Sequence, residues 1–140
     1  MSKAALIVQR IWGVIFILSG LGKFAPVDLA GDGGVDVQLA IGAKANEGTA
    51  FGPLMQWLAD HPTFSIWLSA MAFILSGLVM VTNLNRKLVM AAAIGQIIMI
   101  ACFMVLLHRA FSWILWVDPP FIAVSAFIFY KQLKAGDAKA

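Results

Sequence analysis

With 61% hydrophobic against 12% charged side chains in 140 residues and a mean hydropathy of +0.90, the chain has too little polar surface for a water-soluble globule. Soluble domains are about a quarter charged, so the composition excludes that class and points to an all-α, integral membrane four-helix bundle forming a single domain over residues 1–140. The net charge of +3 is spread over helix ends and connections, which is a matter of topology and makes no case for nucleic-acid binding.

The first apolar segment runs from about 4 to 24. It contains "RIWGVIFILSGLGKF", in which Arg10 and Lys23 bracket twelve uncharged residues. Thirteen helical steps cover about 20 Å, and both long side chains can reach outward several Å toward water. One reading makes them anchors at the two interfaces. The other holds Lys23 within the bundle against an acid, with Asp118, Asp28 and Asp60 as candidates, because ionisable groups inside a membrane generally have partners.

The stretch from 25 to 63 is too long for a plain connector. It opens on the turn-rich "DLAGDGGVD" and then places Phe51, Leu54, Met55 and Leu58 at helical spacing. This predicts a short amphipathic surface helix over about 52–60, lying either on the membrane or over the end of the bundle.

The second and third crossings are predicted at about 64–82 and 87–108; the third holds Gln96 near its middle, expected to bond between helices. "FILSGL" occurs at 16–21 and again at 73–78. With Gly13, the small residues Ser19, Gly20, Ser76 and Gly77 predict a close approach of two antiparallel helices. The fourth crossing is predicted at about 118–134, with Asp118 as its cap and Pro119 as its first residue. The competing reading is one longer helix kinked at Pro119 and Pro120.

If both termini and the short loop before Arg86 lie in the cytoplasm, then Lys3, Arg10, Arg86, Lys87, Lys131, Lys134 and Lys139 are inside. The acidic 25–63 loop is then outside. Trp12, Trp57, Trp67, Trp113 and Trp116 read as interfacial anchors.

Candidate chemistry is sparse. Cys102 is the only cysteine, so no intrachain disulfide or cysteine-based zinc cage can form. His61 and His108 are the only histidines; with Gln96 they are weak candidates for holding a cofactor, and without a spacing motif haem is disfavoured against a quinone or lipid. No catalytic set and no metal motif is assigned.

The pattern Arg10-x-x-Gly13-x-x-Phe16-x-x-x-Gly20-x-x-Lys23, with Gly77-Leu78 and Arg86 further on, resembles the DoxX-like (DoxX/DoxD) family. Four helices and a long first loop with a surface helix fit the same family. The second helix lacks the acidic residue that family members often carry near its start, leaving Asp118 as its candidate replacement in space. The resemblance implies a bacterial inner-membrane protein, similar to small subunits of membrane redox systems, including a thiosulfate:quinone oxidoreductase. The leading expectation is an accessory subunit of a larger membrane complex, in contact with lipid and other subunits. The alternatives are a stand-alone quinone-linked oxidoreductase or haem/quinone binder, and a small transporter.

Overall fold

A computed structural model describes residues 2–26 and 33–137. Asp28, Asp32 and Lys139 lie outside the described residues, so the structure does not speak to Asp28 as a partner of Lys23. The described residues form six helices: α1 (Lys3–Gly22), α2 (Val35–Ala45), α3 (Gly52–Asp60), α4 (Pro62–Thr82), α5 (Arg86–Leu107) and α6 (Ile114–Asp137). Of these, α1, α4, α5 and α6 are long and apolar enough to cross a membrane. Between 17% and 33% of the residues in each span are buried inside the molecule. Most side chains of each span therefore face outward, and exposed residues such as Ile11, Leu18, Leu75 and Ile98 are compatible only with an apolar surround.

Local chemistry sets the helix ends. Ser2 Oγ accepts from the Ala5 amide and starts α1. Asn83 in the left-handed conformation (φ 50°) ends α4, and Asn85 Oδ1 accepts from the Lys87 amide to open α5. The connection from α4 to α5 is thus only three residues long.

The first loop holds two helices rather than one. The turn signals before residue 36 draw attention away from α2, but Leu39, Gly42 and Ala43 form its buried face and pack with Met55 of α3. Asn46 joins this pair to the bundle, donating from Nδ2 to the carbonyls of Gly42 and of Leu106 at the end of α5, each at 2.8 Å. The predicted single apolar face of α3 divides in two. Met55 is fully buried and Leu58 half-buried, while Phe51, Leu54 and Trp57 are exposed. The helix therefore covers the bundle end and presents an apolar face outward.

The fourth crossing also differs from the preferred expectation. α6 starts at Ile114, not at Asp118. The amides of Ile114, Leu115 and Trp116 bond back three residues to Phe111, Ser112 and Trp113, so a tight first turn nucleates the helix upstream of the prolines. Pro119 and Pro120 are interior to it, and the bonds lost are those Leu115 and Trp116 would have accepted. Asp118 consequently projects from the body of α6 instead of capping it.

Packing divides the crossings into two antiparallel pairs, α1 with α4 and α5 with α6. Between α1 and α4 the backbones nearly touch. A Cβ on Gly13 would lie 2.6 Å from the Gly77 carbonyl oxygen, one on Gly77 2.5 Å from the Gly13 oxygen, and one on Gly20 2.8 Å from the Ala70 oxygen. Phe16 and Phe73 stack beside this seam with centroids 5.1 Å apart. Ser19 is half-buried, whereas Ser76 faces α5.

Polar side chains then tie the pairs together. Trp12, expected at an interface, is instead buried and donates from Nε1 to Ser125 Oγ (3.0 Å). Ser125 donates to Gln96 Oε1 (2.9 Å) and Gln96 Nε2 to Ser76 Oγ (3.3 Å), a relay through all four crossings. Nearer the termini, Gln132 donates to Gln9 Oε1 (2.7 Å), and Gln9 to the Met80 carbonyl (2.9 Å) and Asn83 Oδ1 (3.1 Å). Arg86 donates to the carbonyls of Gln132 and Leu133, its guanidinium lying where a Cβ on Gly136 would be.

Two stability outcomes follow, both read by denaturation of the purified protein in detergent. Gly13→Ala gains about 1 kcal/mol of helix propensity but forces apart backbones with no slack, at about 1–3 kcal/mol. It is expected to destabilise, while Gly22→Ala, whose Cβ meets nothing within 4 Å, is neutral or stabilising. Ser125→Ala strands the Trp12 N–H and the Gln96 oxygen in the core and should cost about 1–2 kcal/mol. Ser69→Ala, whose hydroxyl bonds only its own helix at the Ile66 carbonyl, should cost far less.

Candidate functional site

α4 and α5 are joined by their short turn at one end and pinned by the Gln96–Ser76 bond near the middle. Beyond that bond they enclose a cavity of about 560 Å³. Its α4 wall is Ser65, Leu68, Ser69, Ala72 and Ser76; of these Ser65, Ser69, Ala72 and Ser76 follow at steps of four, three and four, hence one helix face. These four are small, so the wall stands back along that face. The three serine hydroxyls donate to carbonyls of their own or the preceding helix: Ser65 to Leu58 and His61, Ser69 to Ile66, Ser76 to Phe73. Ser76 Oγ also accepts from Gln96, and the lone pairs of Ser65 and Ser69 remain as acceptors along an otherwise apolar surface. The α5 wall is Gly95, Gln96, Met99, Cys102 and Phe103, and the cap over the cavity is Leu39 of α2 with Met55 and Leu58 of α3.

Opposite charges meet at the capped end. Lys23, one residue past α1, and Asp118 of α6 both line the cavity, so opposite charges share it. Lys23 Nζ lies 5.2 Å from the ring centroid of Phe73 and 5.5 Å from that of Phe103. These two rings are near parallel, 18° between planes and 6.1 Å between centroids. The ammonium therefore rests on aromatic faces, and the Asp118 carboxyl lines the same cavity. Arg10, the other cation of the opening segment, is exposed on the opposite half of α1.

The remaining candidates lie apart from this site. His61 Nδ1 is 2.8 Å from the Trp57 carbonyl and its ring stacks on Trp57 with centroids 4.6 Å apart. His108 Nδ1 is 3.0 Å from the Met104 carbonyl and 2.9 Å from that of Val105. Neither histidine lines the cavity, and among the described residues no three His, Cys, Asp or Glu side chains converge as metal ligands. Gln96 does line it, while also serving the helix relay. Gly13, Gly20 and Gly77 belong to the α1–α4 seam and only Ser76 of the small-residue set reaches the cavity. Sequence reasoning missed the α4 face at 65, 69, 72 and 76, whose spacing was there to be read, and the pairing of Phe73 with Phe103, which no local pattern announces.

The cavity combines apolar walls of ligand-sized volume with a few polar groups at one end and at the floor, the form that small-molecule sites take in general. Against known proteins, the chain is 29% identical over 128 residues to Oxidoreductase PigB of Serratia sp. (strain ATCC 39006), covering 91% of this chain and 18% of that protein. It thus spans less than a fifth of that relative's length. No solved structure matches the chain. The family model described as Family of unknown function (DUF6041) matches residues 6–140, and the chain belongs to that family.

Proposed function

We propose that the chain is an accessory membrane module of a bacterial oxidoreductase system, which holds a lipid-soluble molecule, a quinone or another lipid, in the α4–α5 cavity and serves a catalytic partner. The cavity between α4 and α5, with Lys23 and Asp118 at its capped end, is the observation that carries this reading. The likeness to Oxidoreductase PigB supports the partner. There the matching segment is joined to more than four times its own length of further chain, since it makes up 18% of the protein. A module that is covalently part of an oxidoreductase in one protein can act beside one in another. Kinship with DoxX-like proteins, on the Arg10, Gly13, Phe16, Gly20 and Lys23 pattern, is part of the same proposal.

The membrane orientation belongs to it too. Lys3, Arg10, Arg86, Lys87, Lys131 and Lys134 gather at the end holding the termini, which the positive-inside rule assigns to the cytoplasm. In that orientation α2 and α3 cover the outer face of the inner membrane. With Cys102 replaced by Ser, Glu47→Cys should react with a membrane-impermeant maleimide in intact cells and Lys134→Cys only after lysis; the reverse pattern would invert the orientation.

The binding role is checked on protein purified from its own membrane in mild detergent. Organic extraction is expected to release a lipid-soluble compound at about one per chain, and the protein to migrate with an enzyme that reduces or oxidises it. Ser69→Leu, which fills the cavity wall, should lower the extracted amount about tenfold while the helix signal in circular dichroism stays constant. Protein that is folded, alone and free of extractable compound would defeat the reading.

A further inference from the structure

The cavity has two boundaries of different character. Toward the water side it is closed by α2 and α3, where Met55 is fully buried and Leu39 nearly so. Toward the bilayer it is open. Leu68 and Ala72 of α4 and Gly95 and Cys102 of α5 line the cavity and are exposed at the same time, which places a gap between the two helices on the lipid-facing side. The gap is edged by small groups: Ala72 on one helix, and on the other Gly95, where an added Cβ would meet nothing within 4 Å. A molecule entering through this gap would come from the acyl-chain region and so be soluble in lipid.

The polar end specifies the head of that occupant. The Lys23 ammonium is a donor only and an ionised Asp118 carboxylate an acceptor only. Together they complement a group that both accepts and donates. A hydroxyl does this within one group, and a carbonyl beside an N–H or O–H does it within two. A carboxylate head would meet Asp118 as well as Lys23, and an ammonium head Lys23 as well as Asp118, so in a low dielectric the attraction of either is offset by like-charge repulsion. From the Phe103 level to the Gln96 floor is seven residues of α5, about 10 Å, and the wall along that length is apolar apart from the serine acceptors.

We infer that the cavity admits an uncharged amphiphile sideways from the bilayer between α4 and α5, and seats its hydroxyl- or carbonyl-bearing head between Lys23 and Asp118 with its apolar body against Ala72, Met99 and Phe103. This rests on the cavity being a ligand site, as proposed above, and adds the access route and the head chemistry.

The experiment uses the purified full chain in phosphatidylcholine vesicles and three diazirine probes of equal chain length: a fatty alcohol, a fatty acid and an alkylamine. After photolysis, cross-links are mapped by mass spectrometry, and labelling of cavity residues is divided by labelling of the lipid-facing residues Leu75 and Ile98. The alcohol is expected to exceed the acid and the amine by at least about fivefold in this ratio. Ala72→Trp, which plugs the gap, should remove the excess. Gly95→Leu should do the same at a position with free space, so that misfolding of one variant leaves the other to decide. Lys23→Met combined with Asp118→Leu should abolish the preference among heads while the apolar probes still label the cavity. Equal cavity labelling by all three probes, or labelling unchanged by both plugging variants, would overturn the inference and leave the proposed binding role standing. No labelling of cavity residues by any probe would overturn both.

Discussion

Gly13 and Gly77 set α1 and α4 so close that each glycine's carbonyl oxygen occupies the space the other's side chain would need. In lipid there is no hydrophobic force between helices, and close packing with interhelical hydrogen bonds replaces it. The seam therefore defines the rigid half of the molecule. With one face of α4 committed to α1, the face at Ser65, Ser69, Ala72 and Ser76 is left toward α5, and its side chains are too short to fill the distance. α5 is tied to α4 by the three-residue turn and by Gln96, and packs more extensively against α6. The cavity is what remains when α4 has its large groups on one side and small ones on the other.

The polar groups fall at two levels with different consequences. Near the termini Gln9, Gln132, Asn83 and Arg86 bond one another and the helix backbones. Interhelical bonds in membranes contribute about 0.6 kcal/mol each on average, so a cluster of this size fixes the register of α1, α4 and α6 at that end. Halfway along, the Trp12–Ser125–Gln96–Ser76 relay does the same for all four crossings, but its last two members are also the cavity floor. Packing of the bundle and filling of the cavity are thus coupled through Gln96. Beyond the floor α4 and α5 meet through the stacked rings of Phe73 and Phe103, and Asn46 ties the α2–α3 cap to the end of α5 at Leu106.

Helices were legible because composition and charge-free length are strong signals; four helices long and apolar enough to cross a membrane fall on the four apolar segments. Boundaries were less legible where two local rules competed. Asp118-Pro119 satisfies the rule for a helix start, yet the tight turn from Phe111 to Trp116 nucleates α6 earlier, and in lipid a proline inside a helix is tolerated. α2 was hidden by glycines and aspartates ahead of it, although Val35, Leu39, Gly42 and Ala43 have helical spacing. Trp12 could not be placed by type alone: tryptophan favours interfaces in general, and only the tertiary partner Ser125 shows that this one is internal. The cavity was not legible, because it depends on how far apart two helices stand, and no single segment carries that distance.

The charges at either end of "RIWGVIFILSGLGKF" have separate physical explanations. Arg10 is exposed and lies toward the termini, where a long side chain can reach water, so it needs no partner in the bundle. Lys23 is half-buried under the α2–α3 cap and rests on Phe73 and Phe103. A lysine at a bilayer centre costs about 2.5–3.5 kcal/mol on insertion scales, and less toward a helix end. Two desolvated cation–π contacts at about 0.5–2 kcal/mol each, with Asp118 lining the same cavity, are of the size needed to offset that. The charge can therefore remain in the apolar surround without a bound molecule, and the polar end of the cavity is formed before anything occupies it. On the proposed binding role, such a site would lose little free energy to reorganisation, leaving the interactions of an occupant's head with Lys23 and Asp118 to distinguish one lipid-soluble molecule from another.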